Sequence, residues 1–273
     1  MNVLQSLKGF YSEWQAEKGY IGCTENGVLI PYVAVKKTEY PVVLLQYAIH
    51  AREYITTYLA MLQAQDFLKR GRRGTTYFIP AVNIDGIVES LYGNGLYKAN
   101  ARGVDLNVNF DARWGTGAKN VREKAAENYI GEYPFSENET RTLRDFTLAV
   151  RPDITVSYHS KGEEIYWEFF QEERERTRDY KVAEAVSRAT GYPVKSAGVS
   201  AGGYKDWCVA KLKIPALTIE VGDDKLSHPI GEEFAQEIFL RNRDVLTVLT
   251  ENYDERREIY ARGDKGSIKG GKT

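Results

Sequence analysis

The sequence predicts an α/β protein built on a mostly parallel sheet, and three observations carry that expectation. Residues 41–49 form a continuous apolar, partly β-branched run, the pattern of a strand covered on both faces in the centre of a parallel sheet. Strand-like runs recur at 76–82, 153–159 and 216–221, with helically spaced apolar residues between them. The 273 residues include 42% hydrophobic side chains, enough for one sizeable core, so residues 1–262 are read as a single domain.

In chain order, Leu4, Leu7, Tyr11 and Trp14 have helical spacing, Glu25-Asn26-Gly27 is a turn, and 28–35 is a strand of an edge hairpin or cover. The 41–49 strand delivers His50 to its end, where open α/β sheets place their ligands. Glu53 opens a helix that buries Ile55, Tyr58, Leu59 and Leu62 and ends before Gly71. Asn83-Ile84-Asp85-Gly86 turns the chain out of the 76–82 strand into a long irregular stretch, 86–132, of a kind that often carries function. Ser136 and Glu139 can form a capping box for a helix burying Leu143, Phe146 and Val150 and stopping before Pro152.

The alternation of 153–159 puts His159 on the side of Thr155 and Ser157. A second strand is expected at 164–169. The charged run 172–176 is read as the solvated face of a helix that buries Tyr180, Ala183 and Val186 and ends at Gly191. Residues 200–207 read as a loop leading to strand 216–221, where Leu217, Ile219 and Val221 share one face and Glu220 takes the other. A carboxylate in such an apolar strand is costly unless it is paired or used in catalysis. A long helix from 232 to about 255, burying Phe234, Ile238, Val245 and Leu249, precedes a Gly/Lys-rich tail, 263–273, expected to be disordered. There is no internal repeat.

A net charge of -1 and a pI near 6.4 give no basic field, so neither nucleic acid nor an anionic membrane is an expected partner. The start lacks a secretory apolar core and no run approaches a membrane span, so the chain, taken as complete, is expected in the cytoplasm. Cys23 and Cys208 are read as free thiols.

The chain has three histidines, His50, His159 and His228. Taken alone, Glu53 could simply favour the positive end of a helix dipole. Counted with His159, the His50/Glu53 pair at a strand-to-helix turn makes a His-Glu-His set, one that holds zinc and leaves a position open for water. His228 is read as a helix cap or surface residue.

These motifs, in this order, resemble the zinc carboxypeptidase (carboxypeptidase A) family from about residue 28 to 249. The match rests on His50-x-x-Glu53, Asn83-Ile84-Asp85-Gly86, Gly103-Val104-Asp105-Leu106-Asn107-Val108-Asn109-Phe110, Ser157-Tyr158-His159-Ser160 and Thr218-Ile219-Glu220-Val221. The resemblance implies a three-layer αβα fold with a mixed, mostly parallel sheet, carboxypeptidase A-like within the phosphorylase/hydrolase-like class. It also implies one Zn2+ per chain held by His50, Glu53 and His159, with Glu220 as general base and Asp105 orienting His50. Arg102 takes the place of the family's oxyanion-binding arginine.

Two departures bear on substrate. Val108 stands where the family has an arginine that, with Asn107, clamps a terminal carboxylate, a contact valine cannot make. Gly198 occupies the position of the family's mobile tyrosine. Lys205, beside Gly203 and Tyr204, matches the base of the specificity pocket and suggests an acidic or zwitterionic substrate group; its bland alternative is a salt bridge with Asp206. The wording of Gly202-Gly203-Tyr204-Lys205-Asp206-Trp207 most resembles bacterial γ-D-glutamyl-diamino-acid peptidases, implying hydrolysis of the D-glutamate–meso-diaminopimelate bond of muropeptides. The alternatives are a metallocarboxypeptidase for acidic C-terminal residues and an inactive, zinc-bound muropeptide-binding protein.

Overall fold

The strand that ends at His50 lies inside the sheet and is covered on both sides, as its unbroken apolar sequence demands. In this computed structural model, which describes residues 1–124, 127–196, 198 and 200–251, the eight strands are β1 Lys18–Cys23, β2 Leu29–Lys36, β3 Val42–Tyr47, β4 Thr75–Ile79, β5 Ile154–Ser160, β6 Glu164–Tyr166, β7 Val194–Lys195 and β8 Ala216–Val221. Their order is β1-β2-β4-β3-β5-β8-β6-β7. The centre, β4-β3-β5-β8, is parallel; β1 and β2 form an antiparallel edge and β6 pairs antiparallel with β8. Val43, Leu45 and Tyr47 enter one apolar cluster and Leu44 the other, so β3 is buried on both faces.

The helices are α1 Val3–Glu13, α2 Ile55–Arg70, α3 Ile84–Tyr92, α4 Asn138–Val150, α5 Glu173–Thr190, α6 Tyr204–Trp207, α7 Ala235–Asn242 and α8 Val245–Glu251. Residues of α1, α2, α5, α7 and α8 share the first cluster, while Leu143 of α4 and Tyr204 and Trp207 of α6 share the second. The result is an αβα arrangement around a mixed sheet. No helix among the described residues is long and apolar enough to cross a membrane.

Several elements differ from the sequence expectation, each for a traceable reason. Asn83 does not merely turn the chain: its Oδ1 accepts the Gly86 N–H at 3.0 Å and caps α3, where an irregular stretch was expected. The Ser136/Glu139 box does not form, because Ser136 donates to the Glu137 carboxylate and Glu139 turns inward to the Glu25 N–H. The strand expected to reach residue 169 stops at Tyr166, where Gln171 Oε1 accepts the Phe169 N–H and Phe170 takes a left-handed φ of 52°. In α5 the buried stripe is Val182, Ala183 and Val186, leaving Tyr180 45% exposed.

Residues 204–207 are helical rather than looped, with the Gly203 N–H held by Asp206 Oδ2 at 3.1 Å. The expected long final helix is broken after Asn242, whose carbonyl accepts Gln63 Nε2 at 3.0 Å, while that of Arg243 accepts Arg70. The continuation to residue 255 and the expected tail, 263–273, lie outside the described residues.

Candidate metal centre and substrate cavity

At the end of β3 the chain bends sharply. Ala48 adopts a left-handed φ of 49°, its N–H held by Thr56 Oγ1 at 2.9 Å and its carbonyl by the Asn83 N–H at 3.1 Å. A short 3-10 turn, Ala51–Glu53, then folds the Glu53 carboxylate back toward His50. The neighbouring parallel strand β5 pairs Tyr158 with Tyr47, so its next residue, His159, emerges beside them.

The three side chains meet. Glu53 Oε1 lies 2.8 Å from His50 Nδ1, Glu53 Oε2 lies 2.9 Å from His159 Nδ1, and the two Nδ1 atoms are 3.2 Å apart. All three residues are buried. Behind them, Asp105 Oδ1 accepts from His50 Nε2 at 3.1 Å and also from the Asn107 N–H at 3.0 Å, which fixes the carboxylate. With the Nε2 proton committed to Asp105, His50 offers a lone pair at Nδ1.

Such a set fits a divalent cation. One ligand atom from each of His50, Glu53 and His159 falls within 4.8 Å of the others. Two imidazole nitrogens facing each other across a buried carboxylate are reconciled by a shared positive charge, and two nitrogens with one carboxylate oxygen is a donor set that zinc accepts. The electrostatics agree. Burial opposes ionisation of Glu53, yet the His50 and His159 charges hold its carboxyl well below the usual range. Burial would lower the His50 pKa, and Glu53 and Asp105 raise it above its ordinary value against the repulsion of Lys98. Glu220, paired in register with His159, is pushed up to about 8, by desolvation first and against the pull of His159.

A cavity of about 420 Å3 opens beside these residues. His50, Asp105, Asn107, Gly203, Lys205 and Glu220 line it, while Glu53 and His159 are buried and do not. Tyr204 is fully buried: its N–H donates to Asn107 Oδ1 at 3.2 Å, and its hydroxyl pairs with Thr147. Lys205 is 5% exposed, with Nζ 2.6 Å from Asp206 Oδ1 and 2.8 Å from the Glu168 carbonyl, so the salt bridge forms and still faces the cavity. Val108 also lines the cavity; Gly198 and His228 do not.

Arg102 is not brought to the site. Its guanidinium is directed at Glu25, Glu132 and Glu137, 3.7 to 4.0 Å away. The cation beside the metal-binding side chains is Lys98, whose Nζ lies 2.7 Å from Asp105 Oδ2 and which lines the cavity. Lys119, absent from the sequence reading, lines it as well. A lysine in an irregular segment carries no periodicity signal; the Lys98 segment is held here by tertiary contacts, among them the Ala51 N–H to the Lys98 carbonyl at 3.0 Å and Asn83 Nδ2 to the Ala99 carbonyl at 2.9 Å.

A buried two-histidine, one-carboxylate set at parallel strand ends, with a second carboxylate facing the same cavity, defines a metal-dependent hydrolase site in an α/β fold. The zinc carboxypeptidase family profile matches residues 14–253, and the chain belongs to that family. Among similar proteins, gamma-D-glutamyl-L-diamino acid endopeptidase 1 of Lysinibacillus sphaericus is 31% identical over 220 residues, covering 67% of this chain and 55% of its own. Human mast cell carboxypeptidase A is 26% identical over 171 residues, 55% of this chain and 41% of its own. The chain thus spans about half the length of these relatives. The fold is shared with bovine thrombin-activatable fibrinolysis inhibitor (TM-score 0.82, 19% identity, 94% of this chain and 98% of the other). It is also shared with murein-tripeptide amidase MpaA of Escherichia coli O157 (TM-score 0.65, 22% identity, 88% and 94%).

Proposed function

We propose that the protein hydrolyses the γ-D-glutamyl–meso-diaminopimelate bond of muropeptides. The observation that carries this reading is the buried Lys205–Asp206 pair facing the same cavity as Glu220. A pocket that presents an ammonium and a carboxylate together complements a zwitterionic amino-acid group, which the distal end of diaminopimelate is. The similarity to an endopeptidase named for γ-D-glutamyl-diamino-acid cleavage supports the same substrate class.

His50, Glu53 and His159 would hold the zinc, and Asp105 would keep His50 in the tautomer that leaves Nδ1 free. Zinc, when bound there, supplies Lewis acidity toward a carbonyl oxygen and toward water. Glu220 accepts the proton of the attacking water and returns it to the nitrogen of diaminopimelate as the amide bond breaks. Burial pushes the Glu220 carboxyl up to about 8, which disfavours the ionised form a base needs, and a cation held by His50, Glu53 and His159 would favour that carboxylate. The Lys98 ammonium, which lines the cavity where the Arg102 guanidinium does not, would offset negative charge on the carbonyl oxygen.

The test is incubation of zinc-loaded protein with L-Ala-γ-D-Glu-meso-diaminopimelate, following products by mass spectrometry. Free diaminopimelate is expected, abolished by a chelator and reduced by about 10²- to 10⁴-fold in Glu220→Gln. A metallocarboxypeptidase for acidic termini is the second reading, favoured by Lys205 alone; faster cleavage of α-linked peptides ending in glutamate would select it. Zinc bound with no turnover of either class would leave a muropeptide-binding protein.

A further inference from the structure

Three lysines face the cavity: Lys98, Lys119 and Lys205. Two are already matched by acids. Lys98 meets Asp105 at 2.7 Å and Asn128 Oδ1 at 2.9 Å, and Lys205 meets Asp206 at 2.6 Å. Lys119 is exposed and, among the described residues, has neither an ion pair nor a hydrogen bond for its ammonium. Of the three, it is the one with no acid beside it among the described residues.

The backbone presents that charge in a defined place. Lys119 sits in a four-residue turn closed twice: the Asn120 N–H donates to the Gly117 carbonyl at 2.9 Å, and Asn120 Oδ1 accepts the Gly117 N–H at 2.8 Å. The turn rests against the cavity wall, for a Cβ on Gly117 would lie 3.1 Å from the Ala201 N and 2.8 Å from Asn120 Oδ1. In the next residue of that segment, a Cβ on Gly202 would come within 2.8 Å of the Val108 carbonyl. The turn that carries Lys119 and the residue Val108 thus both pack against the 201–203 segment, and Lys119 and Val108 both line the cavity.

We propose that Lys119 is a specificity-determining residue that binds the carboxylate next to the scissile nitrogen, replacing a cation that Val108 cannot supply. The inference rests on the substrate class proposed above. In the γ-D-glutamyl–diaminopimelate bond the near amine is acylated, leaving diaminopimelate with one ammonium and two carboxylates. The Lys205–Asp206 pair complements the distal ammonium and carboxylate together, and the remaining negative charge matches the one unmatched ammonium. A lysine on a surface turn is a softer clamp than a buried arginine fork. It tolerates a carboxylate carried at somewhat different positions, so it suits a substrate whose neighbouring residue is held mainly at its distal end.

Two tripeptides decide the matter, L-Ala-γ-D-Glu-meso-diaminopimelate with the carboxylate beside the scissile nitrogen free, and the same peptide with that group as a carboxamide. The wild-type protein is expected to favour the free acid about three- to tenfold in kcat/KM, chiefly through KM. In Lys119→Gln that ratio is expected to fall toward one, and in Lys119→Arg to be retained. A wild-type ratio of one, or the same ratio in Lys119→Gln as in wild type, would overturn the assignment. If neither peptide is cleaved, the proposed reaction fails, and Lys119 is judged by calorimetry with free meso-diaminopimelate. Weaker binding to Lys119→Gln than to wild type supports the contact; equal or absent binding rejects it.

Discussion

Lys98 and Arg102 are four residues apart, and their surroundings give them different work. Lys98 is nearly enclosed, 2.7 Å from Asp105, on the cavity that holds His50 and Glu220. Arg102 is 42% exposed in its side chain and neutralises a carboxylate group that includes the fully buried Glu137. Lys98→Met is therefore expected to lower kcat by about 10²- to 10³-fold, with partial recovery in Lys98→Arg. Arg102→Ala should change kcat/KM by less than about threefold and lower the melting temperature, because a buried acid loses its cation. Steady-state kinetics beside thermal melts read both, and a large kcat loss in Arg102→Ala with Lys98→Met near wild type would reverse the assignment. The sequence makes His50, Glu53 and His159 conspicuous because a short spacing and the scarcity of histidine are local properties. Which of two nearby cations faces the cavity depends on the fold of 93–105, where no periodicity exists to be read.

Elements with an apolar period were legible: β3, β5, β8 and α2 follow from stripes that any solvent-excluding fold must bury. Elements set by a single polar side chain were not. Asn83 signals a turn and a helix cap equally well, and only its buried donations to the Ile49 and Ala99 carbonyls settle which it is. The break between α7 and α8 depends on Gln63 and Arg70 of α2, far away in sequence. Glu139 of α4 is the most consequential case, since it leaves its expected capping role to accept the Glu25 N–H at 3.1 Å and Asn100 Nδ2 at 3.2 Å. Burial, outweighing those hydrogen bonds, pushes its pKa from 4.5 up to about 7. Over that window the folded chain keeps a proton that the unfolded chain has released. Its contribution to stability is thus complete below about pH 4.5 and is lost as the pH rises through about 7. Glu139→Gln cannot titrate, so the fall in melting temperature from pH 5 to pH 8 should be shallower than in wild type. Superimposable pH profiles would show that Glu139 ionises as freely in the fold as out of it.

The sheet order makes the candidate metal-binding set a property of the whole molecule. β3 and β5 are adjacent and parallel, β8 lies on the far side of β5, and the three strand ends bring together residues 50, 53, 159 and 220. An unfolded chain has no comparable site, so a cation held by His50, Glu53 and His159 binds the native state and raises its stability by mass action. At free zinc about 100-fold above the dissociation constant, the gain is about 2.7 kcal/mol. For a chain of this size that corresponds to a rise in melting temperature of about 5 °C. A chelator should reverse the rise and the turnover together. His159→Ala removes one of the three ligand side chains, so zinc should shift its melting temperature little. Differential scanning calorimetry of both proteins, with zinc and with chelator, tests the coupling. A zinc-induced rise of equal size in His159→Ala would place the stabilising ion elsewhere in the fold and detach the metal from the strand ends.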